Sequence, residues 1–413
     1  MKILHITTQK PNSTGSGIYM CGMIRGFDKL GHNQAVIAGI DIEDDAQNMK
    51  KEGFQCAEFY PVYYNTEELD FNVVGMSDSM PYKSTRYRDM NSEMVEKLKY
   101  SFGKTIKKAV KEFSPDIVIC HHLYLLTSYI REIIKDKKVV AVCHGTCLRQ
   151  YKTIELEKDY IKKQIPKLDL IFALHEEQKK DIIETFGIEE RKVEVLGSGY
   201  NDNIFVNKKY KHAKDRFEII FAGKICKSKG LVPFIKSLGR LDYKEDFVNV
   251  TMAGTGSDEE SFNEIKNLGE KCRYNIEFAG KLNQPELAEK MNKADLFVLP
   301  SFYEGLPVVL LEAMACGNSV VTTDIPGVRE WIGEKINSSG KIVYISLPEM
   351  AGVGIPKEEC PEKFTEDLSK AVDMFIKDKI NGSDLKKSVD MSDKTWDGLS
   401  KRADIMISEK LFH

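Results

Sequence analysis

At 413 residues the chain is long for a single hydrophobic core, so two domains are expected. Charged residues make up 30% and hydrophobic ones 42%, as in an ordinary globular protein. Lys and Arg number 60 against 63 Asp and Glu, and neither half is strongly basic, so the charge gives no support to a nucleic-acid role.

The nine cysteines are an odd count with no C-x-x-C pair. Cys143 and Cys147 flank a candidate site loop but lack partners in a ligand pattern, so reduced thiols in a cytoplasmic protein are expected. The first strand starts at residue 2, which leaves no room for the n- and h-regions of a secretory signal. No apolar run reaches the length of a membrane span without interruption.

In chain order, KILHITT (2–8) reads as a buried strand, QKPNSTGSG as a loop, IYMCGMIRGFDKLG as a helix and QAVIAG (34–39) as a strand. This is the opening unit of a doubly wound sheet. Gly15-Ser16-Gly17 suggests a dinucleotide loop, but Met20 breaks G-x-G-x-x-G, which disfavours a nicotinamide dehydrogenase. Residues 41–96 carry many Tyr and Pro and no sustained period. They read as an insertion with a hairpin, either a surface flap or an acceptor contact. Asp41, Asp44 and Asp45 lie in it, with neither a helix N-terminus nor lysines expected nearby, and form no convincing metal motif.

From Asn91 the pattern is helical. Leu98, Phe102, Ile106, Ala109, Val110 and Phe113 form one stripe, and Lys97, Lys99, Lys104, Lys107, Lys108 and Lys111 occupy much of the rest. A solvated basic face is the favoured reading, and attachment to an anionic membrane surface is the sharper one. SPDIVICHH and KKVVAVCHGT are strands ending at His121-His122 and His144-Gly145. Ligands of open α/β sheets lie beyond strand carboxyl ends, so both spots are candidates. A structural role or an acceptor contact remains open for His121 and His122.

DLIFALHEEQKKDIIETFG and VEVLGSGY complete a first domain, and LGSGYNDNIF (196–205) reads as a hinge. FEIIFAGK (217–224) is a strand running into a turn at Gly223, followed by ICKSKGLVPFIKSL. Lys224 and Lys229 sit at or before that helix start, where two cations beside free N–H groups would clamp a diphosphate. VNVTMAGTG, IEFAGKL and ADLFVLP repeat the strand-into-loop pattern. After ADLFVLP come the loop SFYEGLP and an apolar helix from Val308 that ends at Gly317. Glu312 is the one charge between Gly305 and Thr323. A carboxylate there is costly unless paired or hydrogen-bonded, and the plain reading is a core salt bridge for Glu312 with Glu304 a solvated loop residue. KIVYISLP (341–348) is the last strand, 349–361 reads as loop, and helices follow near 362–380 and 394–411.

PSFYEGLPVVLLEAMACGNSVV (300–321), with P-S-x-x-E-G and then E-A-M-A-x-G, resembles the donor site of the family-4 glycosyltransferases of GT-B fold. The likeness covers essentially the whole chain. It is strong over 217–332 and weak over 41–113. It implies two Rossmann-like, doubly wound parallel-sheet α/β domains facing across a cleft: residues 1–200 on the acceptor side and 201–390 binding the sugar nucleotide. The helix near 391–413, with Trp396, would return to the first domain.

The resemblance further implies a retaining transferase that moves a sugar from a nucleoside diphosphate, uridine being adopted as the base. Glu304 would hold sugar hydroxyls and Glu312 the ribose. Lys224, where arginine is usual, and Lys229 would clamp the diphosphate. His144 would stand beside the sugar. Gly15, Ser16, Gly17, Gly223, Gly305, Leu306 and the N–H groups of Val308 and Val309 would line the donor, with Lys281 and Leu282 near the base. No metal and no cofactor are expected beyond the sugar nucleotide as co-substrate. The acceptor, whether glycan, lipid, small molecule or protein, is left open. The location expected is cytoplasmic, with peripheral contact at the inner membrane face as the further option. Alternatives are a GT-B-like epimerase or phosphorylase, or a silent sugar-nucleotide-binding protein.

Overall fold

Apolar runs without alternation suit strands buried on both faces, and here they build two wholly parallel sheets. The computed structural model describes every residue except Ser79, Lys211, His212, Ser257 and His413. The chain divides into two units, Met1–Gly199 with Asp393–His413, and Tyr200–Ser392.

The first unit begins β1 (Lys2–Thr7), α1 (Gly15–Lys29), β2 (Asn33–Asp41), α2 (Ala46–Gly53) and β3 (Glu58–Tyr64). A two-residue pair follows, β4 (Val74–Gly75) and β5 (Thr85–Arg86), then α3 (Ser92–Phe113), β6 (Ile117–His121), α4 (Leu125–Ile133) and β7 (Lys138–Val142). It continues through α5 (Cys147–Thr153), α6 (Lys158–Gln164), β8 (Leu170–Ala173), α7 (Glu176–Phe186) and β9 (Val193–Val195). The strands order as β3-β2-β1-β6-β7-β8-β9.

The second unit runs β10 (Phe217–Ala222), α8 (Leu231–Leu238), β11 (Val248–Ala253), α9 (Glu259–Glu270), β12 (Asn275–Gly280) and α10 (Gln284–Lys293). It goes on with β13 (Leu296–Leu299), α11 (Val309–Ala315), β14 (Ser319–Thr323), α12 (Val328–Ile332), α13 (Glu334–Asn337) and β15 (Ile342–Ile345). The hairpin β16 (Met350–Gly352) and β17 (Ile355–Pro356) and helix α14 (Glu362–Ile380) close it. Its sheet order is β12-β11-β10-β13-β14-β15. Each order reverses once, beside β1 and β6 in the first sheet and beside β10 and β13 in the second. At such a switch point the loops diverge and leave a crevice at the strand carboxyl ends.

Helix α15 (Trp396–Leu411) belongs to the first unit. It lies on α1 where glycines leave room: a Cβ on Gly22 would meet the Trp396 ring at 2.2 Å, and one on Gly26 would meet Ser400 Oγ at 2.2 Å.

Several sequence expectations need correction. Residues 58–64 are no insertion hairpin but an edge strand, β3, parallel to β2. Pro61 hid it, although proline is tolerated on an edge strand. Asp45 caps α2, accepting from the N–H groups of Gln47 and Asn48, and Asp44 pairs with Lys10 at 2.6 Å, so a helix start and a lysine are both nearby after all. Gly15 to Gly17 form the first turn of α1, capped by Thr14, and are not loop. Residues 350–356 are a hairpin where loop was expected. On α3 the stripe from Leu98 to Phe113 is buried except for half-buried Val110. Lys97 pairs with Asp70 and Glu93, and Lys104 with Glu68, so acidic residues neutralise part of the basic face. Among the described residues no helix is long and apolar enough to cross a membrane.

Candidate functional site

At the second switch point the chain brings the loops after β10 and β13 together. Gly230 makes this approach feasible: its φ is +64, and a Cβ there would lie 2.0 Å from the Pro300 carbonyl oxygen. Phe302 N–H donates to Ser228 O at 2.9 Å and stitches the loops. Lys229 therefore reaches Glu304, with Nζ 2.6 Å from Oε1, and the Ser301 hydroxyl donates to the same oxygen at 2.6 Å. Tyr303 O also accepts from Lys229 at 3.4 Å. The cluster is one cation, one carboxylate and one buried hydroxyl.

Lys224 is exposed and makes no ion pair among the described residues. Gly223 closes β10 with its N–H on Ala253 O at 3.0 Å. Gly305 is open, since a Cβ there would meet nothing within 4 Å. Leu306 is half-buried, and its carbonyl accepts from Val308 N–H at 2.9 Å. That bond commits one of the two N–H groups expected for a phosphate. Val309 N–H has no such backbone partner among the described residues. Lys281 and Leu282 lie between β12 and α10, Lys281 exposed and Leu282 half-buried against the core.

Glu312 sits in the first turn of α11 and makes no ion pair or hydrogen bond from its side chain among the described residues, so the expected core salt bridge is absent. Burial raises its pKa to about 7. A carboxyl group so placed is costly to ionise and would gain from hydroxyl donors. The other end of α11 is met by buried Lys341 and half-buried Lys386. Lys341 Nζ donates to Gly317 O at 2.8 Å, and Lys386 Nζ to Cys316 O at 3.3 Å. Burial lowers both to about 8.

The first switch point is built from imidazoles. Gln34 donates its amide N–H to Ile24 O at 2.8 Å, which turns its carbonyl oxygen toward His5 Nε2 at 3.1 Å. His5 Nε2 therefore carries the proton, and His5 Nδ1 accepts from His121 Nε2 at 3.3 Å. His121 Nδ1 is left an unpartnered buried acceptor. His144 stacks on His121 at 5.8 Å between ring centres and meets Tyr19 edge-on at 5.0 Å. His144 Nε2 is buried with no hydrogen-bond partner among the described residues. Burial holds His5 near 4 and pushes His121 and His144 well below the usual imidazole range.

His122, with φ +84, spans Ser16 and Cys147: Nε2 lies 3.0 Å from Ser16 Oγ and Nδ1 3.4 Å from Cys147 Sγ. Ser16 also donates to Gln9 Oε1 at 3.1 Å. Sequence alone leaves the role of His122 open and shows no partner for Cys147 in a ligand pattern. Their meeting depends on loops 25 residues apart and had no local signal. Ser301 was readable, since it stands inside the P-S-x-x-E-G stretch. Tyr19 was not: it reaches His144 and Trp396 from inside an apolar helix. Among the described residues no group of three or more His, Cys, Asp or Glu is arranged to hold a metal ion.

Comparison with known proteins gives this geometry its context. The signature of the family described as "Glycosyl transferases group 1" matches residues 202–357, and that of "Glycosyltransferase Family 4" matches residues 13–203. An uncharacterized glycosyltransferase of Methanocaldococcus jannaschii is 27% identical over 262 residues, 58% of this chain and 63% of its own. The chain thus spans less than two thirds of the length of that relative, and 50% of a second from the same organism. Among solved structures, a glycosyltransferase from Rickettsia africae superposes with TM-score 0.68 at 15% identity, covering 99% of this chain and 98% of its own. Anabaena HepE in complex with UDP-glucose superposes with TM-score 0.63 at 14% identity, over 99% of this chain and 100% of its own. At such identities the likeness establishes the fold, which is GT-B.

Proposed function

The chain belongs to the group 1 glycosyltransferases, and from that premise we propose that it transfers a sugar, with retention, from a uridine diphosphate sugar to an acceptor nucleophile. The observation that carries this reading is the cluster of Lys229, Glu304 and Ser301 at the second switch point, followed along the chain by unpaired Glu312. The UDP-glucose bound to Anabaena HepE supports the donor class.

The roles follow from charge. Lys229, with Lys224 and the Val309 N–H, takes the diphosphate, since backbone donors and cations at a helix start favour anions. Lys224 is a point charge and gives a looser grip than an arginine fork. A carboxylate accepts from two vicinal hydroxyls, which suits Glu312 to ribose and Glu304 to the sugar. In the transfer, the bond from the anomeric carbon to the leaving phosphate oxygen breaks and one to the acceptor oxygen forms. The acceptor proton passes to the departing phosphate, so no protein nucleophile is required. Asp41, Asp44 and Asp45 are spent on local structure, and the diphosphate charge falls to the lysines in a metal-independent reaction.

Thermal unfolding against a panel of nucleoside diphosphate sugars tests this. A ligand at 100 times its Kd adds about 2.7 kcal/mol. A uridine-linked sugar should shift the wild type, and Glu312→Ala should lose the shift given by UDP alone. Equal UDP affinity in both proteins would sink the ribose assignment, and turnover abolished by EDTA and restored by magnesium would sink the metal-free reading.

A further inference from the structure

Lys229, the cation assigned to the diphosphate, already holds an anion. Its ammonium lies 2.6 Å from Glu304 Oε1, both side chains are only 17% exposed, and buried Ser301 donates to the same carboxylate oxygen. A half-buried pair of this kind resists screening better than a surface one. A phosphate that approaches Lys229 competes with this carboxylate for the ammonium's charge and N–H donors. Gly305 follows directly, and the space beside its Cα is open, so nothing packed there blocks a shift of Glu304.

We propose that Glu304 is a built-in competitor for the phosphate site, and that this competition makes the site discriminate between the sugar-bearing donor and the bare nucleoside diphosphate left after transfer. The inference rests on the function proposed above and adds to Glu304 a role against the product. When the bare diphosphate binds, Glu304 loses its cation, gains no donor, and stands beside added negative charge. When the sugar is attached, its hydroxyls donate to the vacated carboxylate, and the loss is offset. After the sugar leaves, Glu304 returns to Lys229 and the diphosphate is expelled. Product release is thus favoured by a residue that also grips the donor.

Titration calorimetry with UDP and UDP-glucose on the wild type, Glu304→Ala, Glu304→Gln, Lys229→Met and the double variant Glu304→Ala/Lys229→Met tests this. UDP should bind about fivefold tighter to both Glu304 variants, the scale of one half-buried ion pair. UDP-glucose should bind no tighter, so the preference for donor over product shrinks. Lys229→Met should weaken UDP, and in that background Glu304→Ala should give less than the fivefold gain seen with Lys229 in place. If Lys229→Met weakens UDP while Glu304→Ala and Glu304→Gln leave its affinity unchanged or lower, the competitor role is overturned and the donor reading stands. If the wild type fails to bind UDP, or Lys229→Met does not weaken it, the donor reading falls and takes this inference with it. Glu304→Gln keeps the Ser301 contact and guards against a folding defect in the alanine variant.

Discussion

At the carboxyl end of the first sheet, His5, His121, His122 and His144 stand within stacking or hydrogen-bond range of one another. At the carboxyl end of the second, a lysine and a carboxylate share one short bond beside a protonation-poised Glu312. The sheets share a parallel architecture with one reversal of order, yet one crevice is lined by buried imidazoles and the other by paired charge. The difference follows from what each can do. His5, His121 and His144, held below the usual imidazole range by burial, are neutral near pH 7, and neutral donors and acceptors suit hydroxyls. A diphosphate needs full charges, and a half-buried charge such as Lys229 is held at less cost when an opposite one balances it until the ligand arrives.

The largest effect that could break this contrast lies at Lys229. Losing one preorganised charge contact typically costs roughly 3–4 kcal/mol in the transition state, or about 10²–10³ in rate. Lys229→Met should therefore lower kcat of transfer by that factor. If Lys229→Met stays within about tenfold of wild type while His144→Ala loses far more, the charged crevice is not where the reaction is driven.

A second expectation sets the two units against each other in pH. The imidazoles of His5, His121 and His144 are lowered by burial, so below about pH 6.5 the unfolded state holds more protons and stability falls as pH drops. Each fully shifted imidazole contributes about 1.4 kcal/mol per pH unit. Glu312 runs the other way. Its pKa rises from 4.5 to about 7, so the folded state holds the extra proton in that window and stability falls as pH rises through it. The sequence has two tryptophans, Trp396 in the first unit and Trp331 in the second. Denaturant unfolding followed in Trp331→Phe and Trp396→Phe should show opposite slopes of stability between pH 5 and 6.5. Parallel slopes would remove the contrast.

Glu312 also sharpens the comparison through binding. If ribose hydroxyls select the carboxylate, UDP should bind about tenfold more weakly at pH 6 than at pH 8, with proton release. Calorimetry in buffers of different ionisation enthalpy reads that proton, and Glu312→Gln should abolish it. The smallest effect belongs to Lys224, which is exposed and makes no ion pair among the described residues. Lys224→Arg should hold UDP as well as wild type or about twofold better, and a large loss on titration would show that this position needs more than charge.

Much of this was legible because it was local. Strands buried on both faces announce themselves as apolar runs, and the loop and helix from Pro300 to Gly317 read as a donor site because their residues are contiguous. What stayed hidden depended on distant partners. Pro61 made β3 look irregular, since the residue before a proline and the missing N–H mimic a turn, and only pairing with β2 shows an edge strand. The plain reading gave Glu312 a salt bridge, yet among the described residues no cation pairs with it, and the lysines near α11 are spent on its carbonyl end. The pairing of Glu304 with Lys229 joins residues 75 apart and follows only from folding two loops together.

The seam between α1 and α15 has a consequence in time. A ribosome makes α1 early and α15 only after all of Tyr200–Ser392. At about 5–20 residues per second, that interval lasts roughly ten to forty seconds. Throughout it the notch at Gly22 and Gly26 faces solvent without the Trp396 ring, and Tyr19 lacks the neighbour that braces it against His144. The nascent first unit must wait for its last helix, holding an open apolar groove that a chaperone could shield and that a stalled or truncated chain would never close.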